Sequence, residues 1–346
     1  MILVTTAGKV GSETVRLLRE RDLPVRVLVR DPAKAAALAE AGAEVAKGDL
    51  DVPATIDDAM KGVSAVVLVS PAVPAQELNV VASAARAGVG HVVKATSKAS
   101  ADSPIARRRW QTEIEAGLAA SGIPHTLLRS NAYMQNVLAL APAIARTSSF
   151  GSAAGKGRSG LVDARDVAAV AAEVAAAPTG HAGQTYWLTG PGLISNYDVA
   201  AVLSELLGRT ITYRELTFEE NKDAMIGAGV PEQIAQMNAQ AFSLTADGDA
   251  EWVTETSRRS SAAQPAPSSS SSTTTRPHFP RPSGTAAVAP VQAPCAPLAP
   301  LQGPKGALRT DFGGTSDSPG RGIVRAWHQA LSGLARRRHR PDRRLR

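Results

Sequence analysis

The residues of this chain that could do chemistry stand at the ends of short apolar runs, spread over its first hundred positions. Ile2, Leu3 and Val4 run into Thr5-Thr6-Ala7-Gly8-Lys9-Val10-Gly11, and Arg30 closes the run Val25 to Val29. Asp49 and Leu50 follow a run at 43–46, Ser70 and Pro71 follow one at 64–69, and Thr96 follows Val92-Val93-Lys94-Ala95. A strand that ends in a glycine turn and feeds a helix gathers backbone N–H groups at one spot, where the positive end of the helix dipole adds to them. Such a spot suits a dinucleotide pyrophosphate. Thr6, Gly8, Lys9, Val10 and Gly11 are the candidate phosphate contacts. The usual G-x-G-x-x-G has a third glycine, whose place is filled here by Thr5 or Thr6, and a plain strand-to-helix turn is the competing reading.

The residue that closes the second strand of such a fold lies beside the adenosine ribose. An arginine there accommodates a 2′-phosphate, so Arg30 favours NADP, while the adjacent Asp31 keeps NAD open. Asp49 is placed to meet the adenine amino group, with Leu50 packing on the ring. Ser70 and Pro71 offer backbone contact to the cofactor. Thr96 joins the cofactor set, and Lys94 and Thr96 are the candidate catalytic groups, able to stabilise developing negative charge. An alternating strand can equally turn Lys94 away.

These positions need elements to hold them. Five strand–helix units follow one another: helix from Val10, strand 25–29, helix 33–41, strand 43–46, helix 53–60, strand 64–69, helix 75–87 and strand 92–95. That alternation predicts an α/β fold with a doubly wound parallel sheet and helices on both faces. Thr6, Arg30, Asp49, Ser70 and Thr96 all fall at carboxyl ends of strands, where ligands of such sheets bind. A helix over 106–120, a strand at 126–128, a helix over about 163–177 and a strand at 184–188 come next. The spacing then predicts a helix over 195–207 with Ser195 as N-cap and Gly208 as its stop, a strand at 211–215 and helices from Thr217 and over 231–241. These last pieces predict a small C-terminal α/β lobe over about 151–254, covering a core of about 1–150.

Composition narrows the function classes. The chain holds 38 Lys+Arg and 31 Asp+Glu, but residues 256–346 carry 15 of the basic and only 3 of the acidic groups. Residues 1–255 are therefore mildly acidic, with 23 basic and 28 acidic groups, which argues against a nucleic-acid surface there. The single cysteine, Cys295, excludes an internal disulfide and a thiolate metal cluster, and no metal site is expected. No basic n-region opens the chain, and no run of about 18 apolar residues spans a membrane. The expectation is a cytoplasmic protein with a small-molecule electron acceptor as partner. The tyrosines are Tyr133, Tyr186, Tyr197 and Tyr213, and none has a lysine four residues on. A proton relay through a Tyr-x-x-x-Lys pair is therefore not expected. The run Arg107-Arg108-Arg109 reads as a solvated helix face, His125 as structural, and Trp110 as core or pocket wall.

Taken together, the segments TTAGKVG (5–11), VRVLVRDPAKAAAL (25–38), GDLDVPATIDDAMKGVSAVVLVSP (48–71), SGIPHTLLRSNAYMQN (121–136), VDARDVAAVAAEV (162–174) and GQTYWLTGP (183–191) resemble the NmrA-like, atypical branch of the short-chain dehydrogenase/reductase superfamily. The likeness spans about residues 1–254. It implies a Rossmann domain that binds NADPH or NADH, and reduction of quinones, azo dyes or similar conjugated acceptors. The alternative it also implies is a silent regulator that senses the nicotinamide ratio and acts through a protein partner. By the same resemblance Gly8, Gly11, Arg30, Asp49, Ser70, Pro71 and Thr96 line the cofactor, and Asn131, Tyr133, Met134 and Asn136 edge the substrate pocket.

From about residue 255 the chain turns rich in Ser, Pro and Arg. SSAAQPAPSSSSSTTTRPHFPRP has no apolar periodicity and predicts disorder. One reading is a linker ending in a basic tether at 336–346. The other is a shifted reading frame after about Glu255, because family members close with a last helix and TSRRSSAA at 256–263 is what GC-rich coding for one yields out of phase.

Overall fold

The computed structural model describes residues 1–254, so the readings of the tail lie outside the described residues. The elements run β1 (Ile2–Val4), α1 (Lys9–Arg19), β2 (Val25–Val29), a 3-10 turn (Pro32–Ala35) leading into α2 (Ala36–Glu40), β3 (Glu44–Lys47), α3 (Pro53–Ala59), β4 (Ala65–Leu68), α4 (Pro74–Arg86), β5 (His91–Thr96), α5 (Ala106–Ala120) and β6 (His125–Ser130). Then come a 3-10 segment (Met134–Leu140), α6 (Ala141–Thr147), β7 (Ser149–Ser152), β8 (Arg158–Ser159), α7 (Ala164–Ala176), β9 (Thr185–Leu188), β10 (Ile194–Ser195), α8 (Asn196–Leu207), β11 (Thr212–Glu215), α9 (Phe218–Gly227) and α10 (Glu232–Ala246).

Among the described residues, seven strands form one parallel sheet in the order β3-β2-β1-β4-β5-β6-β9. The central strands are apolar on both sides because helices cover both sides. Ile2 and Val4 pack with Val15 and Leu18 of α1 and Ala171 and Ala175 of α7. Leu3, one residue out of phase, packs with Ile56 of α3, Val80 and Ala84 of α4 and Leu118 of α5. This is the doubly wound Rossmann-like arrangement that the alternation predicts. The strand order reverses between β1 and β4, so the crevice for a ligand lies at their carboxyl ends. β9 and α7, both beyond residue 150, complete this sheet and its helical layer.

Among the described residues the remaining strands form two two-stranded sheets, β7 with β11 and β8 with β10, and Phe150, Ile194, Val199, Leu203, Ile211 and Tyr213 share one core there. α8 has the expected ends: Ser195 and Asp198 form a capping box, and Gly208 turns left-handed at φ 62°. Two stretches differ from expectation. Residues 33–41 form a 3-10 turn and a five-residue helix, because Asp31 and Pro32 fix the first turn and only Ala35 is buried, leaving no apolar stripe to stabilise a longer helix. β7, β8 and β10 are two to four residues long, too short for a period of two to be legible.

After α10 the chain returns across the carboxyl edge of the sheet. Asp249 binds Lys98 at 2.7 Å and Arg108 at 2.5 Å, and Asn131 Nδ2 donates to Ala250 O at 3.1 Å. The Trp252 ring stands edge-on to Trp187 at 5.3 Å. Gly160 permits this approach: a Cβ there would lie 2.3 Å from Trp252 O.

Candidate functional site

The site starts at the turn between β1 and α1. Gly8 is the N-cap of α1 and supplies no side-chain cap, so the first N–H groups of that helix have no side chain to satisfy them. Gly8 and Lys9 are exposed. Gly11 is buried, and a Cβ on it would sit 1.9 Å from Thr6 O, so the turn closes only over a glycine. Thr5 and Thr6, which stand where the first glycine of the usual fingerprint would be, are tied to β4. Thr5 Oγ1 donates to Val69 O at 2.8 Å and accepts from Val69 N at 2.9 Å, and Thr6 Oγ1 donates to Val69 O at 3.0 Å. The hydroxyls thereby join the two turns that flank the crevice.

At the end of β2, Arg30 is exposed. Asp31 beside it accepts from Ala33 N at 3.1 Å as the cap of the 3-10 turn. Asp31 thus caps this turn through Oδ1 and, being exposed, keeps further acceptor capacity beside Arg30. Lys34 and Lys47 are exposed near the same strand ends. At the end of β3, Asp49 Oδ1 accepts from Asp51 N at 3.1 Å and the Asp49 amide donates to Thr55 Oγ1 at 3.0 Å. Leu50 is buried in the core with Leu3 and Leu28. Gly48 allows Leu28 and Thr55 to close over this turn.

The β4–α4 turn holds Ser70, Pro71 and Ala72. Pro71 is exposed, and Ser70 Oγ donates to Glu77 Oε1 at 2.5 Å. Lys94 is fully buried on the α4 side of β5, bound to Glu77 at 2.8 and 3.0 Å and to Ala95 O at 2.6 Å. Period-two alternation sets this: Val93 faces α1 and α7, so Lys94 faces α4. Its ammonium therefore meets a carboxylate beneath the strand ends and does not open onto the crevice. Glu77 is a residue that motif reading missed. Its signal was a carboxylate on the stripe Val73, Glu77, Val80, Val81, Ala84, where an apolar residue is expected.

Thr96 Oγ1 donates to Glu115 Oε1 at 2.9 Å. Glu115 also pairs with Arg129, whose guanidinium lies 5.1 Å over the Trp187 ring. Ser130 Oγ lies 3.2 Å from both Thr96 O and Tyr133 Oη. Burial pushes the Tyr133 phenol up from its ordinary value, with Ser130 opposing, so the phenol keeps its proton at neutral pH. Asn131 is half-buried and bound to Ala250, Met134 is buried, and Asn136 is exposed. Gln135, between them, donates to Asp163 at 2.6 Å and accepts from Ala164 N at 3.0 Å, which fixes this loop against α7. The run Arg107–Arg109 is more engaged than a solvated face: Arg108 binds Asp249, Arg107 reaches Asn238, and Arg109 donates to Ser103 O. Among the described residues no cluster of His, Cys, Asp and Glu could hold a metal ion, and no helix is long and apolar enough to cross a membrane.

Residues 1–264 match the profile of the NmrA-like family. The NAD(P)H azoreductase of Xenophilus azovorans is 40% identical over 248 residues, which are 70% of this chain and 86% of that protein. Among solved structures, the NADPH-dependent quinone oxidoreductase of Escherichia coli complexed with NADPH superposes with a TM-score of 0.65. It is 32% identical and covers 72% of this chain and 90% of its own. The triphenylmethane reductase of Citrobacter sp. complexed with NADP(H) superposes with a TM-score of 0.66 at 28% identity, over 74% of this chain and 93% of that one.

Proposed function

The chain belongs to the NmrA-like family, and from that premise we propose that it is a cytoplasmic NADPH-dependent reductase of quinone-like or azo-type acceptors. The observation that carries the proposal is the turn at the sheet's reversal point: an uncapped helix start over Gly8–Gly11, with an exposed Arg30 one strand away. That turn fits a pyrophosphate, and the guanidinium fits a 2′-phosphate. The azoreductase, the quinone oxidoreductase and the triphenylmethane reductase support the same direction.

In this reading the amides of Lys9, Val10 and Gly11 would hold the phosphates and Arg30 the 2′-phosphate, while Thr6, its hydroxyl proton given to Val69 O, shapes the turn. Asp49 and Leu50 bound the adenine end, while Ser70 and Pro71 line the crevice. Bound NADPH supplies the hydride. Thr96 and Tyr133 stand where β5 and β6 end, and Tyr133, kept protonated by burial, has a hydroxyl proton to offer as a hydrogen bond to an acceptor that gains negative charge as it is reduced. Lys94 acts from beneath, through Glu77. Asn131, Met134 and Asn136 shape the acceptor pocket, and the Trp187–Trp252 pair borders it with apolar surface that excludes water. The test is purified protein mixed with NADPH or NADH and a panel of quinones and azo dyes. Acceptor-dependent loss of reduced-nicotinamide absorbance, faster with NADPH, is expected; saturable binding without turnover on any acceptor contradicts the catalytic half.

A further inference from the structure

Between β4 and α4 the backbone takes a conformation that its residue type disfavours. Ala72 lies at φ 64°, in the left-handed region, and is buried. A Cβ makes this conformation costly, and glycine is the residue that adopts it freely. A polar network surrounds the strained residue. The Ala72 amide donates to Ser70 Oγ at 3.1 Å, and Ser70 donates to Glu77 Oε1 at 2.5 Å. Glu77 is held by Lys94, and both are fully buried. On its other side the same turn is tied to the phosphate loop through Val69 and the hydroxyls of Thr5 and Thr6. One chain of contacts thus runs from β5 through α4 to the two turns that flank the crevice.

We propose that Glu77, anchored by Lys94, is a positioning residue: through Ser70 it holds Ala72 left-handed, and so presets the β4–α4 turn against the β1–α1 turn for the dinucleotide. This rests on the nucleotide-binding reading above. A buried ion pair is a poor source of net stability, since desolvation offsets the attraction. Fixing a strained turn at a ligand crevice is a task for which its cost is intelligible.

Ser70→Ala breaks the link and leaves the ion pair intact. It is expected to weaken NADPH binding about tenfold and to speed amide exchange at Ala72 in the nucleotide-free protein. Ala72→Gly, added to Ser70→Ala, is expected to restore most of that affinity, because glycine keeps the turn without the network. The paired variant Glu77→Leu/Lys94→Met, which leaves no buried charge unpaired and no acceptor for Ser70, should behave as Ser70→Ala does. Thermal melts of every variant separate these effects from loss of fold. Ser70→Ala with wild-type affinity and unchanged exchange overturns the proposal, and so does weakened binding that Ala72→Gly leaves uncorrected, the signature of a direct Ser70 contact. If the wild type binds no nucleotide, the functional reading fails by itself, and Ala72 exchange in Glu77→Leu/Lys94→Met, where Ser70 Oγ is still present to accept that amide, decides the positioning role: faster exchange supports it and unchanged exchange overturns it.

Discussion

A methyl group is enough to disturb the turn after β1. Gly11→Ala would drive its Cβ into the Thr6 carbonyl, so the turn must open, at a cost of about 1–3 kcal/mol. Denaturant melts should show that loss, and NADPH affinity should fall with it. Gly8→Ala is the control: a Cβ there meets only Thr6 Oγ1, at 3.8 Å, and should leave stability nearly unchanged. At this scale the sequence was legible wherever chemistry sat at a strand end, since a short apolar run reveals where it stops. It was less legible where a side chain works through another element. Lys94 could be placed at the end of β5, but only the packing of α4 showed that its partner is Glu77. Asp31, read from sequence as a rival to Arg30, also caps the 3-10 turn through Ala33 N, a task the sequence did not reveal.

The strands and helices of the sheet carry a pH dependence at the edge opposite the crevice. His91 opens β5, is 2% exposed and lies 2.9 Å from Thr126 Oγ1. Burial, then the neighbouring His125 and His181, push its imidazole below the ordinary value. The unfolded chain therefore takes up a proton that the folded chain refuses. Stability is full above the unfolded pKa of about 6.5 and declines as pH falls through it toward the depressed folded value. Urea melts across that window should show the decline, and His91→Gln should flatten it; an unchanged slope in the variant would assign the effect to other groups. Elements with a clear apolar run or period, such as β2, α5 and α8, could be read from sequence nearly residue for residue, and β1 was legible as an uninterrupted apolar run before a glycine turn. The segment from 134 to 159 could not, because its pieces are short and their strand partners, β10 and β11, lie tens of residues later.

The molecule as a whole is closed by its return segment. Residues 247–254 link the loop after β5, the start of α5, the end of β6 and the Trp187 edge of the sheet through Asp249, Ala250 and Trp252. Trp252→Ala should cost about 1 kcal/mol from the lost ring pair, beyond the area it uncovers. Asp249→Asn leaves Lys98 and Arg108 without their shared carboxylate. Both variants should lower the melting temperature and raise KM for the acceptor more than for NADPH, because the segment lies over β5 and β6 and away from Gly8 and Arg30. Equal increases for both substrates would mean that the segment supports the fold alone. None of this closure was visible in sequence, where 247–254 has no periodicity and its contacts lie up to about 150 residues away.

The central claim is that the turn after β1 and the arginine after β2 together hold NADPH. Isothermal calorimetry of the folded protein with NADPH and NADH, repeated on Arg30→Ala, tests it most directly. NADPH should bind more tightly than NADH, and Arg30→Ala should erase that preference by weakening NADPH about tenfold to a hundredfold while leaving NADH nearly unchanged. Absence of binding heat with either nucleotide at millimolar concentration, or a preference for NADPH that survives the loss of Arg30, would contradict the account.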